Sequence, residues 1–360
     1  MSIFQEFVTE DFHIQIPAGN FTFSAPSNIA LVKYWGKKEH QIPANPSLSF
    51  TLSNCKTITF LRFEEKKTSG ISFELLFEGA PKPSFEPKIQ KYFERILPYC
   101  PYIEKFHFII DTKNTFPHSS GIASSASGMA ALSANIIALE KTLVHDKDEA
   151  YFINKTSFLA RLGSGSACRS ISGNVVVWGK TESIKNSSDL FGVAFSDEIH
   201  TVFNNYQDTI LLVDKGEKQV SSTVGHELMY GHPFAEQRFI QAHQNLARLK
   251  EVFSTGDITR FIEIVESEAL TLHAMMMTSL PYFILMKPAT LEIIQQIWKF
   301  RTETNIPVCF TLDAGANVHV LYPETYKEKV QLFISESLAG YCQSGQFIHD
   351  SLGNGIKNLS

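Results

Sequence analysis

Apolar residues recur along this chain at two distinct periods, and the period sets the element. Strict alternation over residues 57–64, 72–77 and 106–111 predicts strands with one buried face, because successive strand side chains point to opposite sides. Ile89, Tyr92, Phe93 and Ile96 instead fall on one face of a 3.6-residue repeat, which predicts a helix over 88–97. Small residues at helical spacing predict a second helix over 126–143. A third, over 146–162, is closed by Gly163, read as its C-terminal stop. The polar stretch SGSACRSISG then leads into an apolar strand at 174–178.

Between residues 181 and 207 periodicity is lost, and the division between two units is placed there, giving 1–200 and 201–360. The second unit opens on a strand at 209–213 and continues with helical patterns over 233–253, 257–276 and 289–304. A strand at 307–312, a hairpin-like return at 317–322 and a last helix over 324–338 complete it. Strands and helices do not alternate in regular βαβ order, so the predicted fold class is α+β rather than a doubly wound sheet.

Length agrees with two units, since 360 residues exceed the roughly 100–200 that one core organises, and 44% hydrophobic residues can fill both. A formal net charge of −5 gives no global attraction to nucleic acid or an anionic membrane, so neither is an expected partner. Any phosphate site must therefore be a local basic pocket. The 5 cysteines are odd in number and widely spaced, without a C-x-x-C pair, which argues against a disulfide framework or a zinc site and for a reducing compartment. The acidic N-terminus is unlike a signal peptide and the sequence holds no long apolar run. A cytoplasmic protein is the expectation.

Candidate chemistry concentrates in three stretches and one loop. The loop NTFPHSSGIASSASGMAA, starting at Asn114, runs directly into the helix predicted from 126, a setting suited to an anion. Gly121 allows close backbone approach while Ser119, Ser120, Ser124 and Ser125 offer hydroxyl donors; the plainer alternative is a Ser/Gly loop capping an ordinary helix. Neither a Walker loop nor a dinucleotide fingerprint is present in it. In the apolar run APSNIALVKYWGKK, Lys33 and Lys37 can meet phosphate as point charges and Tyr34 can donate a further bond, or the lysines simply snorkel from a strand end. In the string beginning at Arg161, RLGSGSACRS, Ser164 and Ser166 can donate to phosphate oxygens while the Arg169 fork matches a carboxylate; a helix cap and polar turn is the alternative. Cys168 is read as packing and His273 as core or pocket wall. In TLDAGAN, Asp313 ends an apolar strand, where an acid either caps the turn or faces a ligand.

Taken in order, APSNIALVKYWGK, GIASSASG, ARLGSGSACRS, VSSTVG and TLDAGAN closely resemble the mevalonate diphosphate decarboxylase family of the GHMP kinase superfamily, over residues 25 to about 320. The resemblance implies a two-domain GHMP kinase-like fold with its active site in the interdomain cleft, Mg²⁺-ATP as cosubstrate, and a homodimer. It places the catalytic roles on Lys33, Arg169 and Asp313, and substrate contacts on Tyr34, Lys37, Ser164, Ser166 and Arg169. The ATP phosphates fall to Ser119, Ser120, Gly121, Ser124, Ser125 and Ser222, and magnesium arrives with ATP, with Ser124 or Ser125 as candidate ligands. Ala316 stands where the family usually has proline, and Thr223 where some relatives carry arginine.

The reaction so implied phosphorylates the 3-hydroxyl of mevalonate 5-diphosphate and then releases phosphate and carbon dioxide, giving isopentenyl diphosphate. Asp313 would orient the hydroxyl, Arg169 hold the carboxylate, and Lys33 meet charge at the moving phosphate. The alternatives are a GHMP small-molecule kinase, a mevalonate monophosphate decarboxylase, and a non-catalytic sensor of the same fold.

Overall fold

The computed structural model of the chain describes residues 4–14, 16–117, 122–216 and 222–360, and for Ser222 and Thr223 the backbone only. Two long strands, β1 (Ala18–Val32) and β2 (Ser47–Glu65), form an antiparallel hairpin that organises the first half. β1 is buried without interruption from Ser24 to Val32, and β2 over its first six residues. Covered on both faces, these stretches carry no alternation, which is why only the second half of β2 is legible as a strand from its period.

The half is completed by β3 (Phe73–Phe77), β4 (Ala80–Pro81), α1 (Glu86–Ile96), β5 (Phe106–Asn114), α2 (Ser124–Leu143), α3 (Glu149–Gly163), β6 (Val175–Trp178) and β7 (Val193–Ala194). The sheet runs β1-β2-β5-β3-β4, with β6 on the first part of β2 and β7 outside β6; the β3–β5 pair is parallel and the rest are antiparallel. α2 packs on β1 and β2 with α3 beside it. Its buried Ala, Ser and Leu residues extend all round the helix, as a central helix requires. Asp148 caps α3 by accepting the Tyr151 N–H at 2.8 Å. Gly163, predicted to stop this helix by left-handed geometry, is its last helical residue instead. It is small because a side chain there would meet Met129 Sδ at 2.6 Å and Tyr92 at 2.9 Å.

The second half comprises β8 (Gln207–Leu211), α4 (Ser222–Glu227), α5 (Ala235–Thr255), α6 (Ile258–Met277), α7 (Pro288–Thr304), β9 (Cys309–Leu312), β10 (Val318–Tyr322), α8 (Lys327–Phe333), β11 (Phe347–Ser351) and β12 (Lys357–Asn358). Gly256 ends α5 in the left-handed region at φ +76, and Asp257 caps α6 on the Arg260 N–H. The sheet runs β11-β8-β10-β9, all antiparallel, while β12 returns to the outer edge of β1. The fold is therefore α+β, as the element order predicts.

A large apolar core joins the halves. Ile29, Leu31, Phe50 and Val175 from the first sheet pack with Phe203, Tyr206, Leu246, Phe253 and Phe261. Asp350 on β11 adds a polar clamp: Oδ1 accepts the N–H groups of Ser53 (2.8 Å) and Asn54 (2.7 Å), and Oδ2 that of Cys55 (2.7 Å). Removing the carboxylate strands these donors. Asp350→Ala is expected to lower the unfolding free energy by about 2–4 kcal/mol, read from urea denaturation with the slope unchanged.

Candidate active site

Lys33 follows the last residue of β1 and is 1% exposed, although a lysine rarely enters such a run. Its ammonium stands 3.5 Å from Asp313 Oδ1. Burial pulls its pKa below the ordinary lysine range, against the opposing charges of Asp313 and Glu268. Its backbone is gripped mainly from the second half of the chain: the N–H donates to Glu268 Oε2 at 2.8 Å and the carbonyl accepts from Arg238 Nη2 at 3.1 Å, while the nearby Asn45 Nδ2 donates to the same carbonyl at 2.9 Å.

The next residues turn sharply. Gly36 has φ +94, with Ala44 and Phe239 close to where a side chain would start, so glycine fits both the dihedral and the space. Its N–H donates to His226 Nδ1 at 3.0 Å, which leaves the imidazole proton on Nε2. The His226 ring lies against Tyr34 and Trp35, with centroids 4.2 and 4.7 Å away. Burial, then Lys37 and Arg169, push its pKa down to about 3, so it is neutral at pH 7. Tyr34 also packs on Trp178, and burial raises its phenol well above the usual value.

Arg169 lies on a short 3-10 helix, Gly165–Ser170, that enters directly from α3. It is 3% exposed and donates through Nε to Asn28 Oδ1 at 3.4 Å and through Nη1 to Ser47 Oγ. Asn28 Nδ2 in turn donates to Ser170 Oγ (2.8 Å) and the Ser166 carbonyl (3.2 Å), fixing the loop to β1. Arg161, fully buried in α3, donates to the carbonyls of Leu190 and His40. Among the described residues neither guanidinium forms an ion pair with a carboxylate. Burial lowers the Arg161 pKa to about 10, leaving it charged at pH 7. Cys168 is fully buried and its thiol is pushed up to about 12 by burial, consistent with the packing reading.

Asp313 follows β9 at the turn into β10, its side chain about one-third exposed. The turn is held by hydrogen bonds: the Asp313 carbonyl accepts from the Gly315 N–H (2.7 Å) and from His273 Nε2 (3.1 Å), and the Ala316 carbonyl accepts from Thr290 Oγ1 (2.7 Å). His273 is a buried, neutral core residue beneath this turn, with its pKa lowered to about 4 by burial.

Opposite these groups α2 begins at Ser124. Ala123 before it is left-handed at φ +44, and no side chain caps the helix start, so a helix of 20 residues opens its first turn toward the cleft. Ser125 Oγ lies 3.3 Å from Ser164 Oγ. One cleft of about 200 Å³ is lined by Lys33, Tyr34, Lys37, Ser125, Ser164, Ser166, Arg169 and Asp313, with His226 on its wall. Ser124 lies instead on a neighbouring apolar cavity of about 270 Å³ with Leu75, Phe77, Phe85, Ile110 and Met129, which Ser125 also borders. Lys88 lines both cavities. Ser119, Ser120 and Gly121 lie outside the described residues, as does the side chain of Ser222.

Sequence reasoning did not single out Asn28, Lys88, His226, Arg238 or Glu268. Asn28 stands within the motif that carries Lys33, and a buried amide in an apolar strand is a usable signal. The others occupy ordinary positions on helices and become part of the site only through packing.

An acid beside gathered cations and an open helix start suits a phosphoryl-handling enzyme, the chemistry of the GHMP class that the sequence resembles. Residues 25–189 match the Diphosphomevalonate decarboxylase-like N-terminal domain and residues 209–356 the Mevalonate 5-diphosphate decarboxylase C-terminal domain. The diphosphomevalonate decarboxylase of Gibberella zeae is 30% identical over 84% of this chain and 80% of its own. Among solved structures, MDDEF in complex with MVAPP, AMPPCP and magnesium is similar at TM-score 0.81 and 29% identity, covering 95% of this chain and 99% of that one. Mevalonate diphosphate decarboxylase from Staphylococcus aureus is similar at TM-score 0.81 and 28% identity, covering 97% and 100%. The chain belongs to the diphosphomevalonate decarboxylase family.

All 5 cysteines are buried. A colorimetric thiol titration is expected to find fewer than about one reactive thiol in the native protein and the full set after denaturation, with activity unchanged by the native treatment.

Proposed function

We propose that this protein carries out ATP-dependent decarboxylation of mevalonate 5-diphosphate to isopentenyl diphosphate, with its chemistry in the cleft between Lys33, Arg169 and Asp313. The observation that carries this reading is the burial of Arg169 at the cleft without an ion-pair partner among the described residues, together with the Lys33–Asp313 pair that lines the same cleft. Dry cations suit a ligand bearing several negative charges, such as a carboxylate and a diphosphate on one small molecule. Membership of the family, and the MVAPP held by MDDEF, support that ligand.

Each residue then has a task. Arg169 takes the carboxylate, while Tyr34, Lys37, Ser164 and Ser166 take the diphosphate. Asp313 orients the 3-hydroxyl for in-line attack and collects its proton late; an ordinary aspartate, with a pKa near about 3.9, is too weak a base for early removal, and a loose transition state does not require it. Lys33 meets charge on the transferring phosphoryl oxygens and again when the phosphate leaves as the carboxylate carbon departs. Arg169 stabilises the carboxylate before reaction, which opposes decarboxylation, so its benefit is alignment and stabilisation of the departing phosphate.

ATP supplies the phosphoryl group and magnesium neutralises its charge. The uncapped start of α2, Ser125 and Lys88 suit the phosphates, and the apolar cavity of Leu75, Phe77, Phe85 and Met129 suits the adenine. The AMPPCP and magnesium held by MDDEF support this use. The proposal also carries the division at residue 200, a cytoplasmic location and a homodimer; exposed Leu280, Tyr282 and Ile284 offer an apolar surface for assembly. No described helix is long and apolar enough to cross a membrane.

Incubation with Mg²⁺-ATP and mevalonate 5-diphosphate is expected to release ADP and carbon dioxide in equal amounts. ADP without carbon dioxide would indicate a kinase, and turnover only with the monophosphate a different substrate. No product from either would leave the sensor. Asp313→Asn is expected to lower kcat by about 10³-fold or more with KM changed by less than about fivefold.

A further inference from the structure

Lys33 is clamped at both its backbone N–H and its carbonyl by side chains more than 200 positions later in the chain, Glu268 on α6 and Arg238 on α5. Glu268 is fully buried and accepts four times: from the Lys33 N–H (2.8 Å), from Arg238 Nη1 (2.9 Å) and Nη2, and from Asn245 Nδ2 (2.7 Å). Arg238, 2% exposed, spans from this carboxylate to the Lys33 carbonyl. A buried ion pair contributes little net stability compared with a well-packed apolar replacement, so its retention here calls for another use.

We propose that Glu268, oriented by Arg238, is a positioning residue for Lys33: it fixes that residue against Asp313 from the opposite half of the molecule and supplies a negative charge behind its ammonium. The inference rests on the role given to Lys33 above. One short separation makes the geometry demanding. The ammonium is 3.5 Å from Asp313 and buried, so a small backbone shift at Lys33 alters the alignment of both groups with the hydroxyl and phosphate.

The charge has a measurable consequence. Groups that act on Lys33 come from every element packed around it: Asp313 after β9, Glu268 and His273 on α6, Arg169 on the 3-10 helix and Asp208 on β8. Burial already lowers the Lys33 pKa, while Asp313 and Glu268 raise it. Activity that needs the protonated lysine is present below this pKa and lost as pH rises through it. Neutralising Glu268 removes a raising influence, so the basic limb of kcat moves to lower pH.

The test compares Glu268→Gln, the double variant Glu268→Gln/Arg238→Met and Lys33→Met in the full chain. The double variant removes both charges together and avoids stranding a buried guanidinium, so it carries the test if the single variant does not fold. Expected in Glu268→Gln and in the double variant are a fall in kcat of about tenfold or more with KM for the diphosphate substrate within about threefold. In Glu268→Gln alone the basic limb shifts down by about one pH unit, because loss of the Arg238 cation offsets that shift in the double variant. Glu268→Asp, which keeps the charge, is expected to retain the wild-type limb. Folded charge-removing variants with wild-type kcat, and for Glu268→Gln an unshifted limb, would overturn the proposal and leave the pair structural. If Lys33→Met itself turned over normally, the role of Lys33 would fail instead.

Discussion

A cation taken out of water without a carboxylate beside it costs several kcal/mol, and this cleft is lined by one of them, Arg169. Arg169 and Arg161 are held by neutral oxygens, those of Asn28 and Ser47 for one and the His40 and Leu190 carbonyls for the other. Such partners orient a guanidinium without cancelling its charge. Lys33 adds a third buried cation, balanced in part by Asp313 and Glu268. The excess positive charge is therefore internal, in a chain whose formal net charge is −5. A polyanionic substrate supplies the missing charge, so binding energy is concentrated where the reaction takes place.

Holding these groups in register is the work of the scaffold. β1 carries Asn28 and leads into Lys33, β2 carries Ser47, α3 and its 3-10 extension carry Arg161 and Arg169, and the β9–β10 turn carries Asp313. Those elements come from both halves of the chain. The shared core around Phe50 and Phe261, the Asp350 clamp on β2 and the grip of Glu268 and Arg238 on Lys33 leave the halves little freedom to slide. Interactions that look remote from the chemistry thus set its distances.

The sequence displays the groups that line the cleft better than the scaffold that orients them. Lys33, Tyr34 and Lys37 sit in one string and Ser164, Ser166 and Arg169 in another, so local reading reaches them and the fold then brings them into one cleft. Exposed periodicity makes β5 and α1 legible. β1 shows only as an apolar, strand-like run without bounds because burial on both faces erases alternation, and β12 is hidden because two residues at a sheet edge carry no pattern. Glu268 is one of several acids on an amphipathic helix, and only its burial against Arg238, thirty positions earlier, distinguishes it. Gly163 shows the converse error: a local rule for helix ends reads as a stop what close packing with Met129 and Tyr92 requires.

The most direct test of stored positive charge is the unfolding free energy of Arg169→Met, measured by urea with and without mevalonate 5-diphosphate. The account predicts a free protein at least as stable as the wild type, since a dry unneutralised cation has been removed, and loss of most of the stabilisation by the ligand. A free variant weaker than the wild type by more than about 1 kcal/mol, with ligand stabilisation retained, would contradict it.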